Sequence, residues 1–393
     1  MKVLHVESGR HLYGGALQAT LLMQGLAQRG HENHLACRTG AAIGAAAAAH
    51  ATVHELPMKG DVDVFTWWRL RQLIRQVQPD MVHLHARFGT DVWGALAARS
   101  EGVPVVHSRR VDNRERRWVV RWKYPLYDKV VAISHGIRNV LLSEGVPPDQ
   151  VVCVHSAVDT ERYQPNAPRD ADRAWFDAQF GLQPGDLAVA LIAQFIPRKG
   201  HRVLVDAMPA VLARHPNTKV IFLGQGPQEA PLKQLVAERG LQASVLFGGF
   251  RTDLHRVMPS LDLVVHPAAT EGLGVSLLQA AGCGVPIVAT RAGGIPEIVQ
   301  PGLTGELVTP GDAPALAAAL IQLLGDAPLR EQFELSRRGL LGHGSVSCAS
   351  RALRNRIWVL SGLRRVPAIR NPCFRFAAAM ARLSWLVAVS TMP

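Results

Sequence analysis

The stretch Thr270-Glu271-Gly272-Leu273-Gly274-Val275-Ser276-Leu277-Leu278-Gln279-Ala280-Ala281-Gly282-Cys283-Gly284-Val285-Pro286 decides the fold of this chain. It follows an apolar run, 261–266, that reads as a buried strand, and it leads into a second such run at 286–290. Between them a glycine-containing turn opens a short helix. A carboxylate and glycines between a strand end and a helix start suit a ligand that offers hydroxyls and seeks bare backbone N–H groups. A phosphate attached to a sugar is such a ligand.

The same alternation extends outward in both directions. Apolar runs of strand length fall at 2–6, 32–37, 51–56, 80–86, 103–108 and 129–134, and again at 187–193, 218–223 and 244–248. Helical patterns lie between them at 16–29, 64–77, 90–100, 200–214 and 228–239. This order predicts an α/β protein with two doubly wound, parallel, Rossmann-like sheets. The polar, proline-rich segment Tyr163-Gln164-Pro165-Asn166-Ala167-Pro168-Arg169-Asp170 reads as the linker. The expected domains are therefore 1–165 and 170–334, with the ligand-binding strand ends facing a cleft.

A length of 393 residues is ample for two such cores. Five scattered cysteines without a CxxC pair argue against a disulfide framework or a zinc site and fit a reducing cytosol. The N-terminus begins directly as a strand without a signal-peptide pattern. No uncharged apolar run reaches the roughly 18 residues that a membrane-spanning helix needs.

The net charge of +12 suggests nucleic acid until it is mapped. Beyond Glu334 there is no Asp, Glu or Lys but there are ten arginines, which leaves 33 basic against 31 acidic residues before that point. The globular part is close to neutral, and a nucleic-acid partner is excluded for the fold as a whole. Residues 335–393 form an irregular basic tail in which only Phe374 to Met392 has an amphipathic helical pattern. Arginine, serine and cysteine without acids or lysine resemble GC-rich DNA read in a shifted frame. The other reading is a basic tail that lies on a membrane surface.

Several residues carry two readings each. Gly14-Gly15, between a strand and a helix, suits either a phosphate- or acceptor-binding backbone loop or a tight turn. His83 and His85 alternate on one strand face, as structural histidines or as contacts to an acceptor; without a third ligand at recognisable spacing no metal is expected. His107 ends an apolar run before Ser108-Arg109-Arg110, as a substrate contact or as a half-buried histidine. Lys199, beside Gly200 at a helix start, is disfavoured by the helix dipole, which points to a diphosphate partner rather than a simple solvated charge. Glu271 and Gln279 are suited to sugar and ribose hydroxyls, yet alone each is an unremarkable loop acid or helix amide. Gly293-Gly294-Ile295-Pro296-Glu297 is a further glycine turn ahead of a proline-started helix.

Taken together these segments resemble the family-4 retaining glycosyltransferases of the GT-B fold. The matching signals are Gly14-Gly15 with Arg29-Gly30-His31-Glu32, Ala132-Ile133-Ser134, Val158-Asp159, Lys199-Gly200, Gly224-Gln225-Gly226-Pro227, the Glu271 segment, and Gly293-Gly294 with Glu297. They run in family order over residues 1–325. The resemblance implies that the second domain binds a nucleotide-diphospho-sugar and the first binds the acceptor. His107, Lys199 and Glu271 would be catalytic. Gly15, Arg198, Gly224, Gly226, Gly274, Val275, Ser276 and Gln279 would hold the donor, and Gly14, His85 and Arg109 the acceptor. No metal or other cofactor is implied. Two departures stand out: Gln279 replaces the second glutamate of the family's motif, and its frequent arginine before the lysine falls at Gln194, which leaves Arg198 as the substitute.

The implied reaction moves a sugar, with retention of anomeric configuration, to a lipid-linked or polysaccharide acceptor in envelope polysaccharide or lipopolysaccharide synthesis. The implied location is the cytoplasm, peripherally on the inner face of the cytoplasmic membrane. The competing readings are a GT-B sugar phosphorylase or epimerase, and a silent relative that binds nucleotide sugar or membrane lipid without transfer.

Overall fold

A computed structural model describes residues 1–60, 62–86, 89–164 and 169–330; the tail expected at 335–393, with both of its readings, lies outside them. The chain forms two compact units. Among the described residues the first holds 1–133 and 138–154, and the second holds 134–137 and 155–330. The main passage between them is thus at Val154/His155, ahead of the proline-rich segment.

The first unit is built on seven parallel strands: β1 (Lys2–Glu7), β2 (Glu32–Arg38), β3 (Thr52–Leu56), β4 (Met81–Leu84), β5 (Val105–Arg109), β6 (Lys129–Ala132) and β7 (Val151–Cys153). Their order is β3-β2-β1-β4-β5-β6-β7. Leu4, Val82, Val105, Val106 and Val130 are fully buried, as expected of strands covered by helices on both faces. Helix Gly14–Ala27 follows β1 and packs Ala16, Ala19 and Met23 against Leu35, Cys37 and Ile43.

The second unit contains β8 (Leu187–Ile192), β9 (Thr218–Leu223), β10 (Val245–Gly249), β11 (Leu263–His266), β12 (Ile287–Thr290) and β13 (Gly305–Val308). All pairings are parallel, in the order β10-β9-β8-β11-β12-β13. Helices His201–Arg214 and Ala313–Gly325 cover one face, where Leu204, Val205, Met208, Val211, Leu316 and Leu320 meet Val189, Leu191, Val220 and Phe222. Removing each such side chain from water contributes roughly 1.5–3 kcal/mol.

Each sheet reverses its winding once, between β1 and β4 in the first unit and between β8 and β11 in the second. At such a switch point the two connections leave in opposite directions and open a crevice at the carboxyl ends of the strands. The loops that follow β1, β4, β8 and β11, together with the helix starts they lead into, hold most of the candidate residues.

Candidate active site

In the second unit β8 runs into Gln194–Gly200 and the neighbouring β11 into Pro267–Gly274. The pairing of Leu263 with Val189 sets these two loops side by side. The Lys199 ammonium donates to Glu271 Oε2, and both side chains are almost enclosed. His266, the last residue of β11, donates from Nε2 to the same oxygen at 2.8 Å, and the Gly272 N–H donates to Oε1 at 3.0 Å. Burial alone pushes the Glu271 carboxyl upward, but the His266 hydrogen bond and the Lys199 charge outweigh it, so the group stays ionised far below the ordinary carboxylate range. Burial lowers the His266 pKa, which keeps the ring neutral, so its proton sits on Nε2. His266 was not singled out by the sequence, although its place at a strand end five residues before Glu271 is a signal that could have found it.

Helix Val275–Cys283 starts directly after this cluster. Gly274 precedes it at φ 93°, a conformation that glycine adopts without the penalty a side chain would meet. The first turn has no side-chain cap and no acid, and the N–H groups of Gly274, Val275 and Ser276 have no acceptor among the described residues. A lysine cation and three unfilled N–H groups at a helix start form an arrangement that stabilises a phosphate-type anion. Gln279 is buried on the same helix, and its amide has no hydrogen-bond partner among the described residues.

The glycines of the motifs hold loops at close quarters. A Cβ on Gly200, whose φ is 74°, would stand 1.9 Å from the Pro267 carbonyl oxygen, so the turn after Lys199 touches the loop leading to Glu271. Cβ atoms on Gly224 and Gly226 would lie 1.9 Å from the Ala193 oxygen and 2.6 Å from the Phe195 oxygen. Gly294 donates to the Glu271 carbonyl at 3.1 Å, and a Cβ there would be 2.4 Å from the Gly272 oxygen. Arg198 donates to the Thr270 carbonyl at 3.2 Å and so braces the loop that holds Glu271. Glu297 accepts from the N–H groups of His135 and Gly136 and from His155 Nε2, at 2.8, 2.9 and 2.7 Å. These bonds tie the 134–137 segment and His155 to the turn that holds Glu297.

In the first unit Gly14 and Gly15, expected as a loop ahead of a helix at 16–29, are themselves the first two residues of helix Gly14–Ala27. His107 does not reach the end of its strand. It pairs in register with Leu84 in the middle of β5, is fully enclosed, stacks on Tyr127 at 4.8 Å, and has no partner at either ring nitrogen. Burial drives its pKa down to about 3, so it is neutral. Arg109 turns inward to Glu115 at 2.9 Å, and Lys123 pairs with the same Glu115 and with Asp91. Arg109 is thereby a member of an internal ion-pair network, and its sequence neighbour Arg110 lies against the glycine turn instead. His85 is buried and bonded to His5 and Arg110, so any contact with a ligand passes through Arg110. The sequence reading missed both His5 and Arg110.

Comparison with known proteins adds the family. The sequence model described as "Glycosyl transferases group 1" matches residues 172–338, and "Glycosyltransferase Family 4" matches residues 13–162. N-acetyl-alpha-D-glucosaminyl L-malate synthase of Bacillus anthracis is 26% identical over 332 residues, 80% of this chain and 86% of that protein. The GDP-mannose-dependent alpha-(1-6)-phosphatidylinositol monomannoside mannosyltransferase of Mycolicibacterium smegmatis is 33% identical over 208 residues, 51% of this chain and 53% of the relative. The chain spans about half the length of that relative. Among solved structures, Anabaena HepE in complex with UDP and glucose superposes with a TM-score of 0.80 at 22% identity, over 92% of this chain and 100% of that one. The two matches divide where the two sheets divide, and the chain belongs to glycosyltransferase family 4, with the GT-B fold.

Proposed function

We propose that this protein transfers a sugar from a nucleotide-diphospho-sugar to a lipid-linked or polysaccharide acceptor with retention of anomeric configuration. The observation that carries this reading is the placing of Lys199 and Glu271 at the unfilled start of helix Val275–Cys283. Cleavage of the sugar–phosphate bond leaves a diphosphate with the electron pair and an oxocarbenium-like sugar. The Lys199 ammonium and the N–H groups of Gly274, Val275 and Ser276 are fixed dipoles and charge for the departing anion, and they require no reorganisation when the bond breaks. Glu271, ionised and with lone pairs remaining on Oε1, accepts from sugar hydroxyls. Gln279 accepts from the ribose through a neutral oxygen, a weaker bond than a carboxylate would make.

The acceptor hydroxyl attacks on the face from which the diphosphate leaves, and no side chain serves as covalent nucleophile. With a lysine supplying positive charge at the diphosphate, the reaction proceeds without an essential metal, and a chelator leaves the rate unchanged. The first unit takes the acceptor. The setting we favour is envelope polysaccharide or lipopolysaccharide assembly on the inner face of the cytoplasmic membrane, since one relative is described as acting on a phosphatidylinositol mannoside. Among the described residues no helix is long and apolar enough to cross a membrane, which is compatible with peripheral attachment.

The test is a panel of UDP-, GDP- and ADP-sugars, assayed for binding, for hydrolysis, and for transfer to lipid-linked acceptors, with the product anomer read by NMR. Retained configuration and acceptor-dependent sugar release support the reading. An inverted anomer overturns retention, and release of sugar phosphate identifies a phosphorylase instead.

A further inference from the structure

A second carboxylate of the second unit is pinned by hydrogen bonds, and two histidines stand around it. Glu297 closes the helical turn Ile295–Glu297. Its Oε2 accepts from the His135 N–H at 2.8 Å and its Oε1 from the Gly136 N–H at 2.9 Å. Oε2 also meets His155 Nε2 at 2.7 Å. The His135 ring lies beside that of His155, with centroids 5.5 Å apart and planes inclined at 64°. A ring nitrogen of each histidine and a Glu297 oxygen thus fall within 4.8 Å of one another. All three residues belong to the second unit.

The backbone beneath this cluster is closely packed. A Cβ on Gly136 would stand 2.9 Å from the carbonyl carbon and oxygen of Gly293, and one on Gly294 would stand 2.7 Å from the Ser134 Cβ. The 134–137 segment and the 293–297 turn therefore touch where no side chain fits. The two N–H groups fix the plane of the Glu297 carboxylate, as hydrogen bonds do for ligating carboxylates at metal centres. The imidazoles are freer, because His135 is exposed and the His155 side chain is 35% exposed. A fixed carboxylate with two adjustable imidazoles at the surface is an accessible donor set.

One histidine is enough to pair with Glu297, and that pair makes no use of the second ring. Two neutral imidazoles and a carboxylate are donors for Zn2+, Co2+, Ni2+ or Cu2+, whereas Mg2+ and Ca2+ prefer oxygen alone. Bonds of roughly 2.0–2.2 Å around a tetrahedral ion place neighbouring donor atoms about 3.3 Å apart. From 2.7 Å, His155 and Glu297 have to separate by about half an ångström, and the His135 ring has to turn inward. The ion replaces the proton between Nε2 and Oε2, which passes to solvent, and water takes the fourth position. The histidine cluster of the first unit, His5, His83 and His85, is unlike this one. It is buried, and Arg110 Nη2 donates to His85 Nδ1 at 3.2 Å, which sets a cation where a metal would have to bind.

We propose that His135, His155 and Glu297 bind a divalent transition metal of the zinc class, and that the bound ion displaces the loop of Glu271 and slows sugar transfer. The connection is short. Gly294, three residues before Glu297, donates its N–H to the Glu271 carbonyl at 3.1 Å, and a Cβ there would meet the Gly272 oxygen at 2.4 Å. A turn packed so tightly passes a displacement of about half an ångström on to the donor loop, where misplacement of that order costs rate. The effect on rate rests on the sugar-transfer reading, and the metal site does not. The ion takes no part in the transfer itself, and the metal-free chain is the active form.

The test uses the full chain, stripped of metal by a chelator that is then removed, with Co2+ as the probe. Four-coordinate Co2+ absorbs far more strongly in the visible than the hydrated ion. The parent is expected to bind a single ion with this absorption, and Zn2+ but not Mg2+ should abolish it. His155→Gln keeps a donor to Glu297, and His135→Gln changes an exposed side chain, so both should retain the parent's melting temperature. Their Co2+ affinity should fall about a hundredfold or more. His54→Gln, which alters the His34–His54 pair of the first unit, is the control and should bind as the parent does.

No such absorption in the parent, or absorption that survives both substitutions, overturns the site. With nucleotide-sugar donors, saturating Zn2+ should slow sugar release by the parent about tenfold and leave His135→Gln and His155→Gln at their own metal-free rates. Equal slowing of all three chains overturns the link to Glu271. Failure of the transferase reading would look different: no chain would release sugar from any donor, while Co2+ binding would still depend on His135 and His155.

Discussion

Lys199 donates to Oε2 of Glu271, a hydrogen bond between residues 72 positions apart in the chain. The distance closes because β8 and β11 are neighbours at the point where the second sheet reverses its winding. The acid is also held by His266 and Gly272, so the Lys199 cation is anchored by a carboxylate whose position is fixed three ways.

Lys199→Ala is expected to reduce turnover by about a hundredfold to a thousandfold, the usual effect of removing one fixed charge or donor from a developing anion. It also leaves the Glu271 carboxylate enclosed without its partner, so the melting temperature should fall. Steady-state rates and thermal unfolding check both. Turnover close to the parent would sink the assignment of Lys199.

The ionisation of Glu271 makes stability depend on pH in a defined direction. Its folded-state pKa is depressed below the ordinary 4.5, so the stabilisation is fully present above that value and is lost as pH falls toward the folded-state pKa. Glu271→Gln cannot titrate there. The gap in melting temperature between the parent and this variant should be widest near neutral pH and should shrink steadily below about pH 4.5. A gap that stays constant down to pH 3 would show that the charge contributes nothing.

Arg198 touches the Thr270 carbonyl and stands next to Lys199. Arg198→Ala is expected to raise the donor KM by about tenfold, one charge-assisted contact, with a smaller loss of kcat. Unaltered donor affinity and turnover would remove Arg198 as the stand-in for the arginine that the family places earlier in the loop.

His107 is neutral, enclosed and unpartnered at both ring nitrogens, with its ring stacked on Tyr127. His107→Phe keeps the stacking surface and removes two buried polar atoms that make no hydrogen bond. The expectation is an equal or higher melting temperature and activity within about threefold of the parent. A loss of a hundredfold or more in kcat, with stability unchanged, would return His107 to the catalytic set.

How far local sequence reaches is clear from particular elements. Helices 64–77 and 90–100 were expected from periodicity, and the structure has Phe65–Val77 and Thr90–Ser100. The strands missed were β7, with only three residues, and β13, where Gly305 and Glu306 dilute the apolar pattern. Helix Arg169–Phe180 went unrecognised because its polar beginning follows the prolines and reads as a continuation of the linker. In each case the deciding contribution is packing against the rest of the sheet, which a local window does not contain.

The candidate site divides in the same way. Lys199-Gly200, the Glu271 turn and Gly14-Gly15 were visible because each is a cation, acid or glycine at a strand-to-helix junction, a purely local property. Which of Arg109 and Arg110 faces the glycine turn was not, since adjacent residues at a strand end point to opposite faces and only the neighbouring elements give those faces meaning. The partnership of His5 with His85 and Asn33 likewise depends on β1 lying between β2 and β4.

The sequence alone determined two doubly wound sheets, their glycine turns and the chemical character of the residues after each strand, because apolar periodicity and backbone freedom are written residue by residue. Tertiary structure alone decided that Lys199 and His266 meet on Glu271, that His107 is walled in, and that Arg110 rather than Arg109 lies against the glycine turn. Those relationships arise from strand order and register, which bring together side chains tens of residues apart and set the desolvation and proton positions that give each its chemistry.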